Sequence, residues 1–417
     1  MWGRVSRAVF GAAVVGAVIL TSGASASAVT NPTIASLTFT APGGSLYYPE
    51  GIATNNNGTA FVSNTNDNVV ASVVGSVDTT IAGSYEASGE TGDGGPATAA
   101  TLSSPGGLAV DSQGDIFIAD TEDNVVREIT TNGNIVLVAG NGNEGYSGDG
   151  SPAVQATLDS PQSVAVDASG DVFIADTYNN VIREVTPNGT ISTFAGNTTP
   201  GYSGDDGPAT SAQLTSPSGV AVDSLGNVYI ADSGNNVIRR VDTTGLITTV
   251  AGNYAADQAN GGAGGFSGNG GPATSAQLNS PQGVALDQAG DLFIADTFNN
   301  AIREVTPNGV ISSLVNTTGA KGNTNASTAA ASTLSGPYAV GVDNSTGNVY
   351  VADTSNNKIK VVSGLGVPGP AAGGPVAPGP PPEVPESPLA LALPLSALVV
   401  AGGVFAVRRR RSPRQPA

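Results

Sequence analysis

The chain has 417 residues and contains neither cysteine nor histidine. These two absences exclude disulfide cross-links, Ser-His-Asp and Cys-His catalysis, and metal sites that use histidine or cysteine ligands. Seven of the 15 basic residues lie close to the two ends, so residues 8–407 hold eight basic against 33 acidic residues, a balance of −25. This charge disfavours nucleic acid as a partner, favours cations, and predicts a soluble, monomeric body.

Residues 1–28 have the pattern of a secretory signal peptide. Arg4 and Arg7 precede the apolar run Ala8–Leu20, and small residues with the spacing of a cleavage site follow at 24–28. The apolar run is shorter than the roughly 18 residues that a membrane span requires. We therefore expect the segment to be removed on export.

Residues 160–197 contain four short β-type runs, namely Ser163–Asp167, Asp171–Asp176, Val181–Thr186 and Thr190–Ala195. Valine, isoleucine, phenylalanine and threonine suit a pleated surface, and the gaps hold the Gly, Asn and Pro residues that reverse a chain. The segment is therefore predicted to be a meander of four antiparallel strands.

The same segment occurs six times along the chain, counting this copy. A proline marks each copy, at Pro49, Pro105, Pro161, Pro217, Pro281 and Pro337, with steps of 56 residues except for one of 64. Four strands at a fixed long period indicate the blades of a propeller. We predict an all-β, six-bladed β-propeller over residues 29–363, with blades that start near 49, 105, 161, 217, 281 and 337.

The sixth copy has only three β-type runs, and the missing strand has a candidate at the other end of the propeller. Thr33–Thr40 resembles the fourth run of the third copy, Thr190–Gly196. We predict that strand 33–40 completes the last blade, because closing the ring removes the open sheet edges that would pair with other chains.

Motifs within the copies resemble NHL repeats, as in SVAVD, DVFIADTYNN and VIRE of residues 163–184. The linking segment TGDGGPATAATLSSP at 91–105 is similar to that of bacterial exported NHL proteins and of the teneurin NHL region. The resemblance covers 33–363 and implies the propeller fold. It leaves function open, because this scaffold carries lyases, lactonases and pure binding modules.

The C-terminal part has three segments. Residues 364–387, rich in Pro, Gly and Ala, are predicted to form an extended stalk. Residues 388–407 carry no charge and match one transmembrane helix, and 408–417 form a basic tail that the positive-inside rule places in the cytoplasm. The protein is thus expected to be a single-pass membrane protein with an extracellular propeller.

The sequence places two kinds of loop on one face of the ring: the turns after the ADT signature and the long Gly-rich linkers. The signature Asp residues are predicted to be structural turn residues, with repeated arginines as their ion-pair partners. They are Asp120, Asp176, Asp232, Asp296 and Asp353. No cofactor is expected; Ca²⁺ stays open, although it needs six to eight converging oxygens.

Positions that vary within the repeated pattern are the candidate partner contacts. The signature turns carry Glu122, Tyr178 and Phe298 at the variable position, and three linkers carry an aromatic residue at one shared place. Contact and packing are equally expected for Tyr178 and Phe298, and packing is favoured for the linker residues. The linker residues are Tyr146, Tyr202 and Phe266.

Glu50 follows Pro49, where other copies have uncharged residues. Glu50-Gly51 resembles the start of the gluconolactonase family, in which that Glu binds the catalytic metal; the other ligands of that family have no match here. The favoured interpretation is a membrane-tethered extracellular propeller that binds a protein or glycan without catalysis. The alternative is a carboxylate- or metal-dependent lactonase or hydrolase with Glu50 near the central channel.

Overall fold

The computed structural model describes residues 31–37 and 46–367, except positions 56, 76 and 86. Within them the chain forms six antiparallel sheets. The first strand of each sheet contacts the first strand of the next, and the sixth contacts the first again. The predicted all-β, six-bladed propeller is therefore confirmed.

Each of the first five blades is a meander of four consecutive strands. Blade 1 consists of Pro49–Thr54, Thr59–Asn64, Val69–Val74 and Val77–Gly83. Blade 2 consists of Pro105–Val110, Ile116–Asp120, Val125–Ile129 and Ile135–Ala139. Blade 3 consists of Pro161–Val166, Val172–Asp176, Val181–Val185 and Thr190–Ala195. Blade 4 consists of Pro217–Val222, Val228–Asp232, Val237–Val241 and Leu246–Ala251. Blade 5 consists of Pro281–Leu286, Leu292–Asp296, Ala301–Val305 and Val310–Val315.

The linkers add short elements to this pattern. Two-residue strands pair with the outermost strands of blades 3, 4 and 5: Ser151–Pro152, Gly207–Pro208 and Gly271–Pro272. Linker 3-10 turns lie at Ala97–Ala99, Ala153–Gln155, Ala209–Ser211 and Ala273–Ser275. Signature 3-10 turns lie at Thr65–Asp67, Thr177–Asn179, Ser233–Asn235, Thr297–Asn299 and Thr354–Asn356.

Blade 6 is built from both ends of the propeller. Its three C-terminal strands are Val340–Asp343, Asn348–Asp353 and Lys358–Ser363. The fourth is Thr33–Ser36, which pairs antiparallel with the last of them from Thr33↔Ser363 to Ser36↔Lys360. Residues 38–40 of the predicted closing strand lie outside the described part of the chain.

The core lies between blades because each sheet is apolar on both faces. Phe173 and Ala175 of blade 3, for example, pack against Val220 and Val228 of blade 4. Strands that are covered on both sides need no alternation of polar and apolar residues. This explains uninterrupted apolar runs such as Val172–Ala175.

Side chains of the signature turns join neighbouring blades. The second Asn of each turn has a left-handed backbone, as at Asn180 (φ 58°), and its amide oxygen accepts the N–H of Ser216 in the next blade at 2.9 Å. The same bond closes the ring, from the Tyr48 N–H to Asn357 at 2.9 Å. The Thr354 hydroxyl likewise donates to the Pro49 carbonyl at 2.6 Å. Ring closure is thus fixed by side chains as well as by strand pairing.

The insertion in the fourth linker forms an α-helix, Tyr254–Ala259, which the sequence interpretation did not predict. Asn253 caps it by accepting the N–H of Ala256 at 2.9 Å. The predicted signal peptide (1–28), transmembrane helix (388–407) and basic tail (408–417) lie outside the described residues, as does the stalk beyond residue 367. Among the residues that are described, no helix is long and apolar enough to cross a membrane.

Candidate functional site

One face of the ring collects the signature turns, the long linkers and the proline ends of the innermost strands. The register shows why: Pro161 pairs with Asp176, so the innermost strand begins where the second strand reaches its signature turn. We call this the signature face. The turns between first and second strands, such as 223–227, lie on the opposite face.

A buried ion pair lies beneath the signature turn of each blade from 2 to 6. In blade 3 Arg183 donates to Asp176 at 3.4 Å and to the linker residue Asp149 at 2.6 Å, and both Arg183 and Asp176 are fully buried. Asp176 also accepts the Asp159 N–H at 2.7 Å. Burial raises the pKa of Asp176 to about 6, although these hydrogen bonds and the Arg183 charge act to lower it. Through its contact with Asp149, Arg183 connects the linker to the blade.

The same arrangement recurs in blades 2, 4 and 5, and blade 6 replaces arginine by lysine. The buried pairs are Arg127–Asp120 at 3.3 Å, Arg239–Asp232 at 3.5 Å, Arg303–Asp296 at 3.2 Å and Lys360–Asp353 at 3.1 Å. The predicted turn residues therefore face the interior of the blades and are inaccessible to a partner.

The three linker aromatics cover these arginines. Tyr146, Tyr202 and Phe266 each lie with the ring centroid 4.9 Å from the guanidinium carbon of the arginine in their blade. Tyr202 also stacks on Tyr254 of the inserted helix, with centroids 4.0 Å apart. This packing accounts for all three residues without a partner.

Glu122, Tyr178 and Phe298 are exposed on the signature face. Tyr178 has 63% and Phe298 68% of its surface accessible. The backbone N–H of each bonds to a linker carbonyl, at Asp159 and Asn279, which fixes the turn while the ring points to solvent. These two rings contribute little to the blades and are available for contact.

A central channel opens on the signature face. The register of the innermost strands shifts between Pro49 and Gly51, so Glu50 is a β-bulge residue with no opposite neighbour. Equivalent shifts occur at Gln162, Ser218 and Gln282. Bulges redirect side chains, and these four residues, with Tyr338 from blade 6, line a cavity of about 50 Å³.

Deeper in the channel the lining becomes small and then aliphatic. The next layer holds Gly107, Ser163, Gly219, Gly283 and Ala339, and the one after it holds Ile52, Leu108, Val164, Val220, Val284 and Val340. A Cβ on Gly219 would lie 2.3 Å from the Gln282 carbonyl oxygen, so only glycine fits this approach of two blades. Apart from the Ser163 hydroxyl, the polar side chains of this lining are thus confined to the mouth.

Glu50 is the one carboxylate in this lining. Burial raises its pKa to about 7. The Tyr338 hydroxyl donates to the Gln162 amide oxygen at 3.1 Å, across the channel. Burial also raises the pKa of Tyr338, with smaller contributions from Glu50, Tyr48 and Tyr178, so these residues surround it. Sequence reasoning singled out Glu50 but missed that it lies close to Tyr338.

Blade 2 departs from the other turns in a way that the sequence interpretation also missed. Asp123 stands where the turns of blades 3 to 6 have an asparagine, and its Oδ2 is buried without a hydrogen-bond partner among the described residues. In blade 3 the equivalent Asn179 donates to Asp176 at 2.9 Å and to the Gly145 carbonyl at 2.8 Å. The available signal was an Asp at this position together with the signature Asp120, whereas blade 1 pairs Asp67 with Asn64.

Two further observations bear on chemistry. Among the described residues no group of three or more His, Cys, Asp or Glu is placed to hold a metal ion. A larger, open groove of about 630 Å³ lies at the outer edge of blade 1, lined by Thr79, Thr80, Tyr85 and Thr98 among others. No sequence motif indicated it.

Comparisons with known proteins agree with this architecture. Residues 134–203, 198–262 and 254–335 match the family described as the teneurin NHL domain, and residues 102–127 match the NHL repeat. Mouse Teneurin-4 is 32% identical over 234 residues, 52% of this chain and 8% of that protein. Protein SUPPRESSOR OF QUENCHING 1, chloroplastic, of Arabidopsis thaliana is 29% identical over 276 residues, 63% of this chain and 25% of that protein. The chain thus spans a minor part of these curated relatives.

Solved structures show the same fold at low identity. A structural genomics protein of unknown function from Bacteroides thetaiotaomicron has a TM-score of 0.58 at 14% identity, over 80% of this chain and 76% of that one. An auxiliary nutrient binding protein from Bacteroides ovatus has a TM-score of 0.54 at 13% identity, with the same coverage. At such identities the similarity concerns the fold alone.

Proposed function

The chain is an NHL-repeat six-bladed β-propeller, and from this premise we propose that it is a non-catalytic binding module that recognises a protein or glycan through its signature face. The supporting observation is the exposure of Tyr178 and Phe298 at turn positions where the repeat does not require an aromatic ring. Aromatic side chains that are exposed together with polar neighbours are typical anchors of recognition surfaces.

The position of these rings favours binding over packing. Equivalent turns carry Glu122 in blade 2 and Gly234 in blade 4, so the fold accepts a charge or no side chain there. The exposed apolar area of this face also includes Tyr48, at 40%, and the linker residue Tyr146, at 42%. A partner would bury them against the rim of the channel.

The test uses the full-length chain in detergent, screened against glycan arrays and surface proteins with and without Ca²⁺. We expect Tyr178→Ala and Phe298→Ala each to lower the affinity for a captured partner by about tenfold, which is typical of interface anchors. Leu225→Ala is the matched control, because Leu225 is 63% exposed on the opposite face. Equal losses in the control, or no loss in either aromatic variant, would refute the signature face as the binding surface.

We also propose that the propeller is exported and that the C-terminal segment holds it outside the cell. This arrangement would present the ring away from the membrane. Because the chain has no cysteine, single cysteines can report its topology. Ser112→Cys in the propeller should react with a membrane-impermeant maleimide on intact cells, and Ser412→Cys should react only after lysis. Labelling of both, or of neither, on intact cells would contradict this orientation.

A second candidate function is a carboxylate-dependent hydrolase or lactonase at the channel. The observation that favours it is the pKa of Glu50, raised by burial to about 7, which suits a general acid or base at neutral pH. Turnover of any member of a lactone and ester panel that disappears in Glu50→Gln would establish it and displace the non-catalytic proposal.

A further inference from the structure

We propose that the mouth of the central channel is a receptor for a primary ammonium group, the side chain of a lysine on the protein that the signature face binds. This inference rests on the proposed binding function and names the class of partner. It depends on Glu50, the other groups at the channel mouth, the size of the cavity and the charge of the surrounding body.

Glu50 is half-buried at the channel mouth. Burial raises its pKa, and no hydrogen bond or positive charge among the described residues acts to lower it. A partly desolvated carboxylate without a protein partner costs free energy in the unbound protein. A cation that enters the mouth would supply the missing partner and recover part of that cost.

The mouth offers as many acceptors as an ammonium group has donors. A lysine ammonium carries three N–H donors. Besides Glu50, the Tyr338 oxygen keeps its lone pairs because its proton goes to Gln162. The Gln282 side chain donates through Nε2 to the Ser280 hydroxyl at 2.9 Å, which leaves its amide oxygen as a third acceptor at the lining.

Cavity size and charge favour a small monovalent cation over a metal ion. About 50 Å³ accommodates a few water molecules, which is room for an ammonium head. A divalent metal would need six or more oxygens, and no group of three metal-ligating residues is placed for one within the described chain. One carboxylate with neutral acceptors matches a single positive charge.

Aromatic rings beside the mouth suit the aliphatic stem of a lysine. Tyr48, 40% exposed, and Tyr178, 63% exposed, both lie near Tyr338. Aromatic faces attract cations and pack against methylene groups. The net negative charge of the propeller would also steer a basic partner toward this face.

The sign of the pH dependence follows from Glu50. Protonated Glu50 cannot pair with a cation, so affinity should rise as pH increases through about 7. The other titratable groups around Tyr338 are the phenols of Tyr48 and Tyr178, and burial raises the pKa of Tyr338 itself. The dependence should therefore vanish in Glu50→Gln.

In the experiment, full-length protein is titrated with a short blocked peptide that contains one lysine, and the affinity is measured by calorimetry. Glu50→Gln should weaken binding by at least about tenfold, and the same peptide with Nε-acetyllysine should not bind. Because Gln162 and Gln282 occupy the equivalent position in blades 3 and 5, glutamine is compatible with folding at residue 50. Glu144→Gln, an exposed carboxylate on a linker of the same face, is the control of equal charge change and should leave affinity unchanged within about twofold.

Equal binding by the acetylated peptide, equal losses in both variants, or no pH dependence would overturn the proposal. Glucosamine forms a separate arm: binding of this amino sugar without binding of the peptide would contradict a protein lysine as the ligand. A partner that binds through Tyr178 and Phe298 but is insensitive to Glu50→Gln would refute the ammonium receptor and leave the signature-face proposal intact.

Discussion

Asp123→Asn should stabilise blade 2. In the wild type the buried Asp123 Oδ2 has no hydrogen-bond partner among the described residues. The Asn179 side chain at the same position of blade 3 donates to both Asp176 oxygens at 2.9 Å and to the Gly145 carbonyl at 2.8 Å. The substitution would give blade 2 the same donor, facing Asp120 in place of Asp176.

The magnitude follows from those bonds. A hydrogen bond to a charged group contributes about 1.5–3 kcal/mol and a neutral one about 0.5–1.5 kcal/mol. Asp123 is partly exposed, so solvent already compensates some of the deficit. We expect the free energy of unfolding to rise by about 1–3 kcal/mol near pH 8.

The gain should depend on pH. Burial raises the pKa of Asp123 and raises that of Asp120 to about 8, and Asp123 adds to the shift of Asp120 through like-charge repulsion. Groups with a raised folded pKa contribute stability below their unfolded pKa of about 4 and lose it as pH rises through the folded value. The wild type should therefore lose stability between about pH 4 and pH 8, and the asparagine variant should lose less.

Urea denaturation at about pH 5 and about pH 8 measures both effects. The matched control is Asn179→Asp, which introduces the same unsatisfied carboxylate into blade 3 and should cost about 1–3 kcal/mol at the higher pH. The reasoning fails if Asp123→Asn is neutral or destabilising, or if its gain is the same at both pH values.

Three other substitutions test ring closure and the buried ion pairs. Ile34→Ala, in the N-terminal strand of blade 6, should lower the free energy of unfolding in urea by about 2–5 kcal/mol, because Ile34 is buried in the core between blades 5 and 6. A loss below about 1 kcal/mol would argue against a closed ring. Arg183→Met should cost about 3–5 kcal/mol, because it leaves Asp176 buried and unpaired; adding Asp176→Asn should recover part of this loss, and a strictly additive double variant would contradict the coupling. Tyr202→Leu should cost about 1–2 kcal/mol in thermal unfolding, from the lost ring over Arg239; an unchanged midpoint would show that the ring does not stabilise the pair.

Much of the fold could be predicted because the sequence repeats its own geometry. Six prolines at a common place, turn residues at fixed offsets and a strand pattern that lacks its fourth member in the last copy indicate six blades and a closing strand. Local physics is sufficient here: β-branched residues prefer strands, and Asn tolerates the left-handed backbone at Asn180. The helix at Tyr254–Ala259 was not predicted, because the insertion that forms it occurs in one linker and has no other copy with which to be compared.

The candidate site was predicted less completely, since its groups come from different blades. Glu50 could be singled out as a break in the repeat, and Tyr178 and Phe298 as variable turn positions. That Tyr338 lies across the channel from Gln162, or that Tyr48 and Tyr178 lie beside Tyr338, depends on residues far apart in the chain. No spacing rule connects them.

The sequence by itself determined the number of blades, their strand order and the pairing of repeated aspartate with repeated arginine, because each depends on contacts that recur at a fixed separation. Only the tertiary structure decided which side chains meet at the axis, that the linker aromatics cover arginines, and that Asp123 is left without a donor. Closing a ring brings together residues from every blade, and the burial that results, rather than any local preference, sets their contacts and their pKa values.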